Sequence, residues 1–132
     1  MDEFVKQITD KWKEMIESIV VGEYSRKVES IDCFRMNKYY DGYPKINFCY
    51  KVTFNFEDGI LDSNDQTHSY TNRYEWRKEL DSIFTKTFCD EINFENNKVD
   101  YMTNQSNRFI IQFYPGGFIS EFRNEKLKEL GL

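Results

Sequence analysis

Between Lys45 and Phe56 the chain alternates apolar and polar residues without a break, and this run constrains the fold more than any other. Ile46, Phe48, Tyr50, Val52, Phe54 and Phe56 fall on one side; Asn47, Cys49, Lys51, Thr53 and Asn55 fall on the other. A sustained period of two marks a β-strand with one face on a core and the other in water. Such a strand needs a neighbour. The segment Lys27 to Lys38 is also strand-like, and Asp41-Gly42-Tyr43-Pro44 supplies turn chemistry between the two, so together they predict a long antiparallel hairpin.

Helical periodicity flanks the hairpin. From Asp2 to Val21, Phe4, Val5, Ile8, Trp12, Met15, Ile16, Ile19 and Val20 form one apolar stripe, with Gly22 as the stop. Glu57 to Asn72 reads as polar loop with room for a short strand near His68 to Tyr70. Asn72-Arg73-Tyr74-Glu75 has the form of a capping box, and Trp76, Leu80, Ile83, Phe84 and Phe88 continue a second helix to about Glu91. Two shorter strands follow, near Lys98 to Met102 and Arg108 to Tyr114, before Pro115-Gly116-Gly117 breaks the sheet. Ser120 can cap a last helix reaching Leu130, amphipathic through Phe122, Leu127 and Leu130.

The expected order is therefore α-β-β-α-β-β-α, an α+β two-layer sandwich whose antiparallel sheet carries its helices packed on one face. With 132 residues, the expectation is a single domain spanning residues 1–132. Helix–strand–strand occurs twice, with Trp12 and Trp76 at comparable places, although the residue-level match between halves is too thin to read as a duplication.

Familiar catalytic patterns are missing. His68 is the only histidine, which excludes a histidine-based zinc site and a two-histidine nuclease. Cys33, Cys49 and Cys89 have no short metal-type spacing and read as free thiols in a reducing compartment. The oxygen-rich Asp62 to Gln66 run fails the EF-hand pattern, because Thr67 and Arg73 stand where glycine and glutamate are needed. Gly116-Gly117 lacks the further glycines and lysine of a phosphate loop. No Gly-x-Ser-x-Gly elbow is present. The expectation is a protein that is not an enzyme and uses no cofactor and no metal. The acidic start lacks a secretory leader, and no run is long and apolar enough to span a membrane, so a cytoplasmic location is expected.

Charge is more informative. The net charge is −5, which argues against direct nucleic-acid binding. Residues 25–51 are locally +3, whereas 52–70 are −4 through Glu57, Asp58, Asp62 and Asp65, and 89–107 are −3. These acidic segments either form a solvated face or present carboxylates to a basic partner. The hairpin tip concentrates Tyr39, Tyr40 and Tyr43 among Arg35, Lys38 and Lys45. Tyrosine and arginine are enriched at binding hot spots; the plain alternative is that these rings lie back on their own sheet.

Ile, Asn, Lys, Tyr and Phe fill 55 positions and there is no alanine, the mark of an AT-rich genome. Size, composition and charge together predict an accessory protein of a phage or mobile element. Its expected role is to inhibit a host nucleic-acid-processing protein, in the manner of anti-CRISPR or anti-restriction proteins, by occupying a basic surface. It would act as a monomer or homodimer. A structural subunit of a phage ring or neck is the first alternative, and a small metal-dependent nuclease the second.

Overall fold

The computed structural model describes residues 3–38, 47–57, 70–88, 98–105, 107–115 and 118. Among them the order is α1 (Glu3–Glu17), β1 (Val28–Lys38), β2 (Asn47–Phe56), α2 (Tyr70–Thr87), β3 (Val99–Asn104) and β4 (Arg108–Phe113). The strands form one antiparallel sheet in the order β1-β2-β4-β3, which makes the class α+β. The expected third helix, Ser120 to Leu130, lies outside the described residues, as do the first two residues of the alternating run, Lys45 and Ile46.

The α1 stripe buries Val5, Thr9, Trp12 and Ile16, at spacings of three and four that keep one face inward. Thr9 satisfies its hydroxyl by donating to the Lys6 carbonyl at 3.0 Å, so a polar residue can sit inside the stripe. The helix ends at Glu17, four residues before the expected Val21. Ile19 N–H closes on the Ile16 carbonyl in a tightened last turn, and Val21 then bridges Tyr24 across a turn in which Gly22 holds φ at +62°. That left-handed angle suits glycine, so Gly22 shapes this turn rather than stopping the helix. Glu17 also accepts the Val28 N–H at 2.9 Å, tying the end of α1 to the start of β1.

Trp76, Leu80 and Phe84 of α2, and Phe88 just after its end, recur every fourth residue and are buried. The helix starts at Tyr70, so Asn72 lies inside it and the expected capping box does not mark its start; Tyr70 is helical, not part of a short strand. The Asn72 side chain instead lies against Gly22, where an added Cβ would meet its Nδ2 at 2.8 Å.

One apolar cluster joins both helices to the sheet, with Val52, Phe54 and Phe56 of β2 facing Phe109, Ile111 and Phe113 of β4. Register sets Val52 opposite Ile111 and Phe54 opposite Phe109. The alternation in β2 is therefore correctly phased. Its outer positions depart from a simple inside-outside division. Phe48 is 37% exposed and Tyr50 half-buried, where both were expected beneath the helices. The β2–β4 pairing begins at Tyr50, so Phe48 lies beyond the four-stranded part of the sheet. On the opposite face, expected to be in water, Cys49 and Thr53 are buried. Thr53 sits in register between Asp32 and Ile110, and Cys49 opposite Met36, so each short side chain is flanked by longer ones.

Candidate partner-binding site

β1 and β2 pair from Val28–Phe56 to Lys38–Asn47, but β4 accompanies β2 only over Tyr50–Asn55. Met36 to Lys38 and their partners Asn47 to Cys49 therefore form a two-stranded arm that continues past β4. At 3.4 Å per residue, three strand positions carry it about 10 Å beyond the four-stranded region. Strand pairing can extend here because the backbone groups of β1 and β2 satisfy each other; among the described residues no third strand accompanies them.

Arg35 stands opposite Tyr50 at the root of this arm. Its guanidinium carbon lies 4.1 Å from the centroid of Phe48, a cation–π stack on an exposed ring. At an exposed site such a stack contributes roughly 0.5–1 kcal/mol. Phe48 meets Tyr50 edge-to-face at 6.0 Å, Tyr50 meets Phe113 at 5.8 Å, and Phe113 meets Trp12 at 5.0 Å. An unbroken aromatic path thus runs from the arm into the core. It holds Phe48 and Arg35 in one arrangement.

Cys33 lies two residues from Arg35, on the same face of β1, and packs partly against the core. Burial pushes its thiol above the ordinary cysteine range. A thiol held protonated is a poor nucleophile, so this position suits packing rather than covalent chemistry.

Of the residues expected from sequence to form the site, Arg35 is at the arm and exposed. Lys38 ends β1, in register with Asn47. Tyr39, Tyr40 and Tyr43 lie outside the described residues, and so do Asp58, Asp62 and Asp65. Glu57 follows β2, is exposed, and gives its backbone N–H to the Lys27 carbonyl at 3.1 Å. That bond puts Glu57 at the root of the hairpin, the opposite end from Lys38. The structure therefore does not bring Glu57 and Arg35 into one patch.

The phase of the alternation places Phe48 in the core, whereas in the structure it is the centre of the exposed stack. The signal that could have located it was the length mismatch between the hairpins. The first predicted hairpin is much longer than the second, so part of it must outrun the second hairpin's strands.

His68 and Cys89 lie outside the described residues, and among the described residues no three His, Cys, Asp or Glu side chains group into a metal-binding cluster. No described helix is long and apolar enough to cross a membrane. Comparison of the chain with family models, with curated proteins and with solved structures finds no match.

Proposed function

We propose that this chain is a non-enzymatic binding protein that inhibits a host nucleic-acid-processing protein by docking on its basic surface, with the β1–β2 arm as its specific contact. On this reading it is an accessory protein of a phage or mobile element, of the anti-CRISPR or anti-restriction type. The observation that carries the reading is the arm itself: paired strands reaching past the sheet, with Arg35 stacked on an exposed Phe48. Rigid aromatic and arginine side chains are the groups that dominate binding energy when a partner covers them. The net charge of −5 supplies the long-range attraction to a basic partner, and the arm supplies the fit. The acidic stretch that begins at Glu57 strengthens that attraction from the other end of the hairpin.

Affinity capture from host lysate tests the proposal, using the tagged wild type beside Arg35→Ala and Phe48→Ala. The captured partner should be a nucleic-acid-processing protein, and adding the wild type should displace its nucleic acid in a gel-shift assay. Both variants should capture and displace poorly. A partner with no nucleic-acid surface, or displacement indifferent to both variants, would overturn it. Among the described residues β1 is paired on one side only, which favours a second reading, a structural subunit of a phage ring or neck. Higher-order closed oligomers in light scattering would support that one instead.

A further inference from the structure

The two faces of the β1–β2 hairpin treat their polar groups differently. On the face turned away from the described helices, Asn55 donates to Ser30 Oγ at 3.1 Å and to Asp32 Oδ2 at 2.9 Å. The carboxylate on that face therefore already has a donor. On the other face, strand alternation sets Arg35 and Asn37 of β1 beside Phe48 and Tyr50 of β2. Asn37 stands in register opposite Phe48, and Arg35 opposite Tyr50. Arg35 and Asn37 are both exposed. Among the described residues neither side chain makes a hydrogen bond or an ion pair, and none of the four residues on this face of the arm is acidic. The arm thus holds a surplus of donors with no carboxylate of its own to take them.

A guanidinium carries five N–H donors and no acceptor, and its planar fork matches two oxygens of a carboxylate or of a phosphate. The Phe48 ring covers one side of the Arg35 guanidinium, 4.1 Å from its carbon, and leaves the N–H groups for a ligand. Behind Phe48, Tyr50 and Phe113 continue an apolar floor. Asn37 adds an amide donor directly across from the ring. The overall charge selects between the two anions. Residues 25–51 are +3 in a chain of −5, so the remainder is −8. A body of that sign repels a strand of phosphates. A single carboxylate set among cations suits both parts of the molecule, since the carboxylate attracts the arm and its surroundings attract the body.

We propose that Arg35, stacked on Phe48 and flanked by Asn37, is a carboxylate-binding site, and that it seats an aspartate or glutamate standing within the partner's basic surface. The basic partner rests on the function proposed above; the affinity of the arm for a carboxylate does not.

Nuclear magnetic resonance of the isolated, labelled chain tests the site, with acetate and inorganic phosphate titrated separately at an ionic strength held constant with sodium chloride. The Arg35 Nε–H signal should move downfield with acetate and saturate, with half-saturation at about 10–100 mM for one or two charge-assisted hydrogen bonds. Arg108, whose Nε already donates to Gln105, should barely move. Phe48→Leu should weaken the Arg35 response severalfold, with circular dichroism identical to wild type showing that the variant is folded. Equal movement at both arginines, tighter binding of phosphate than of acetate, or a response indifferent to Phe48→Leu would overturn the inference. On a captured partner, Arg35→Glu combined with replacement of the matching partner carboxylate by lysine should recover most of the binding that either change loses alone. Acetate binding with no nucleic-acid-processing partner captured would sink the proposed function and keep the site. Capture of such a partner without acetate binding, or with no acidic residue that shows this exchange, would overturn the inference alone.

Discussion

The α1–β1–β2 half and the α2–β3–β4 half place equivalent groups at equivalent positions about the central β2–β4 pair. Trp12 of α1 meets Phe113 of β4 edge-to-face at 5.0 Å; Trp76 of α2 meets Phe56 of β2 edge-to-face at 5.5 Å. Each helix thus packs its tryptophan on the other half's inner strand, and the antiparallel order β1-β2-β4-β3 is what a pseudo-twofold arrangement of two helix–strand–strand units produces. Two differences break the symmetry. The surroundings of Trp76 are partly polar: its Nε1 donates to the Ile19 carbonyl at 3.0 Å, and the buried Arg26 guanidinium lies 4.0 Å from the Phe56 ring centroid. Trp12 sits among Phe84, Phe88, Phe113 and Phe118. The second difference is length, since only the first half's hairpin outgrows the shared sheet. Matched parts hold the molecule together; the unmatched arm is the part that the proposed function assigns to recognition.

The largest expected effect tests the matched parts. Trp76→Ala should destabilise the protein by about 4 kcal/mol in urea unfolding, because it removes a fully buried ring and leaves the Ile19 carbonyl without its indole donor. Trp12→Ala should cost less, about 3 kcal/mol, as only packing is lost. Equal losses would mean that the hydrogen bond at Trp76 adds nothing and the halves are energetically alike.

Next in size is the arm. Phe48→Ala should weaken partner binding by about 2 kcal/mol, roughly thirtyfold, while changing unfolding stability by less than about 1 kcal/mol. Arg35→Ala should follow the same pattern with a smaller loss. A large drop in melting temperature for either would move the arm into the structural class occupied by Trp12 and Trp76.

Gly22→Ala sharpens the comparison at the point where the halves touch. The φ of +62° and the Asn72 Nδ2 only 2.8 Å from an added Cβ both oppose it, so it should cost about 1–2 kcal/mol. No loss in unfolding stability would show that the turn after α1 can relax independently of α2.

The smallest effect is a rate. Because burial raises the Cys33 thiol, its thiolate is scarce at neutral pH and is gained only as pH rises past the ordinary cysteine value. Alkylation of Cys33 should be slower than that of a free thiol at pH 8 and should climb with pH. The folded protein holds this proton more tightly than the unfolded chain, so the group's contribution to stability falls as pH rises through that alkaline window. An ordinary alkylation rate at pH 8 would contradict the burial of this face of β1.

Local pattern made much of this architecture legible. The phase of β2, the i, i+4 row from Trp76 to Phe88 and the two hairpins depend on neighbours close in sequence, and alternation or helical spacing reports them directly. The pairing of β2 with β4 joins residues more than fifty positions apart, and no local signal specifies it. That one pairing decides how far the sheet extends, and so whether Phe48 is core or surface. Asn72 misled for a related reason: a cap-forming sequence was overridden by a helix that starts earlier and uses the asparagine against Gly22. Of the candidate site, arginine in a cationic hairpin was legible from composition; its stacking on Phe48 was not, because it required knowing where the sheet stops.

On the proposed function, the sheet and helices carry stability while the arm carries recognition. Met36 and Cys49 are a registered pair, so replacing residues 37–48 with Asn-Gly joins them through a two-residue hairpin turn. Urea unfolding and partner capture measured on this one shortened protein separate the two roles. Stability within about 1 kcal/mol of the full chain is expected, with capture abolished. Capture at full strength, or a shortened chain that no longer folds, would contradict it.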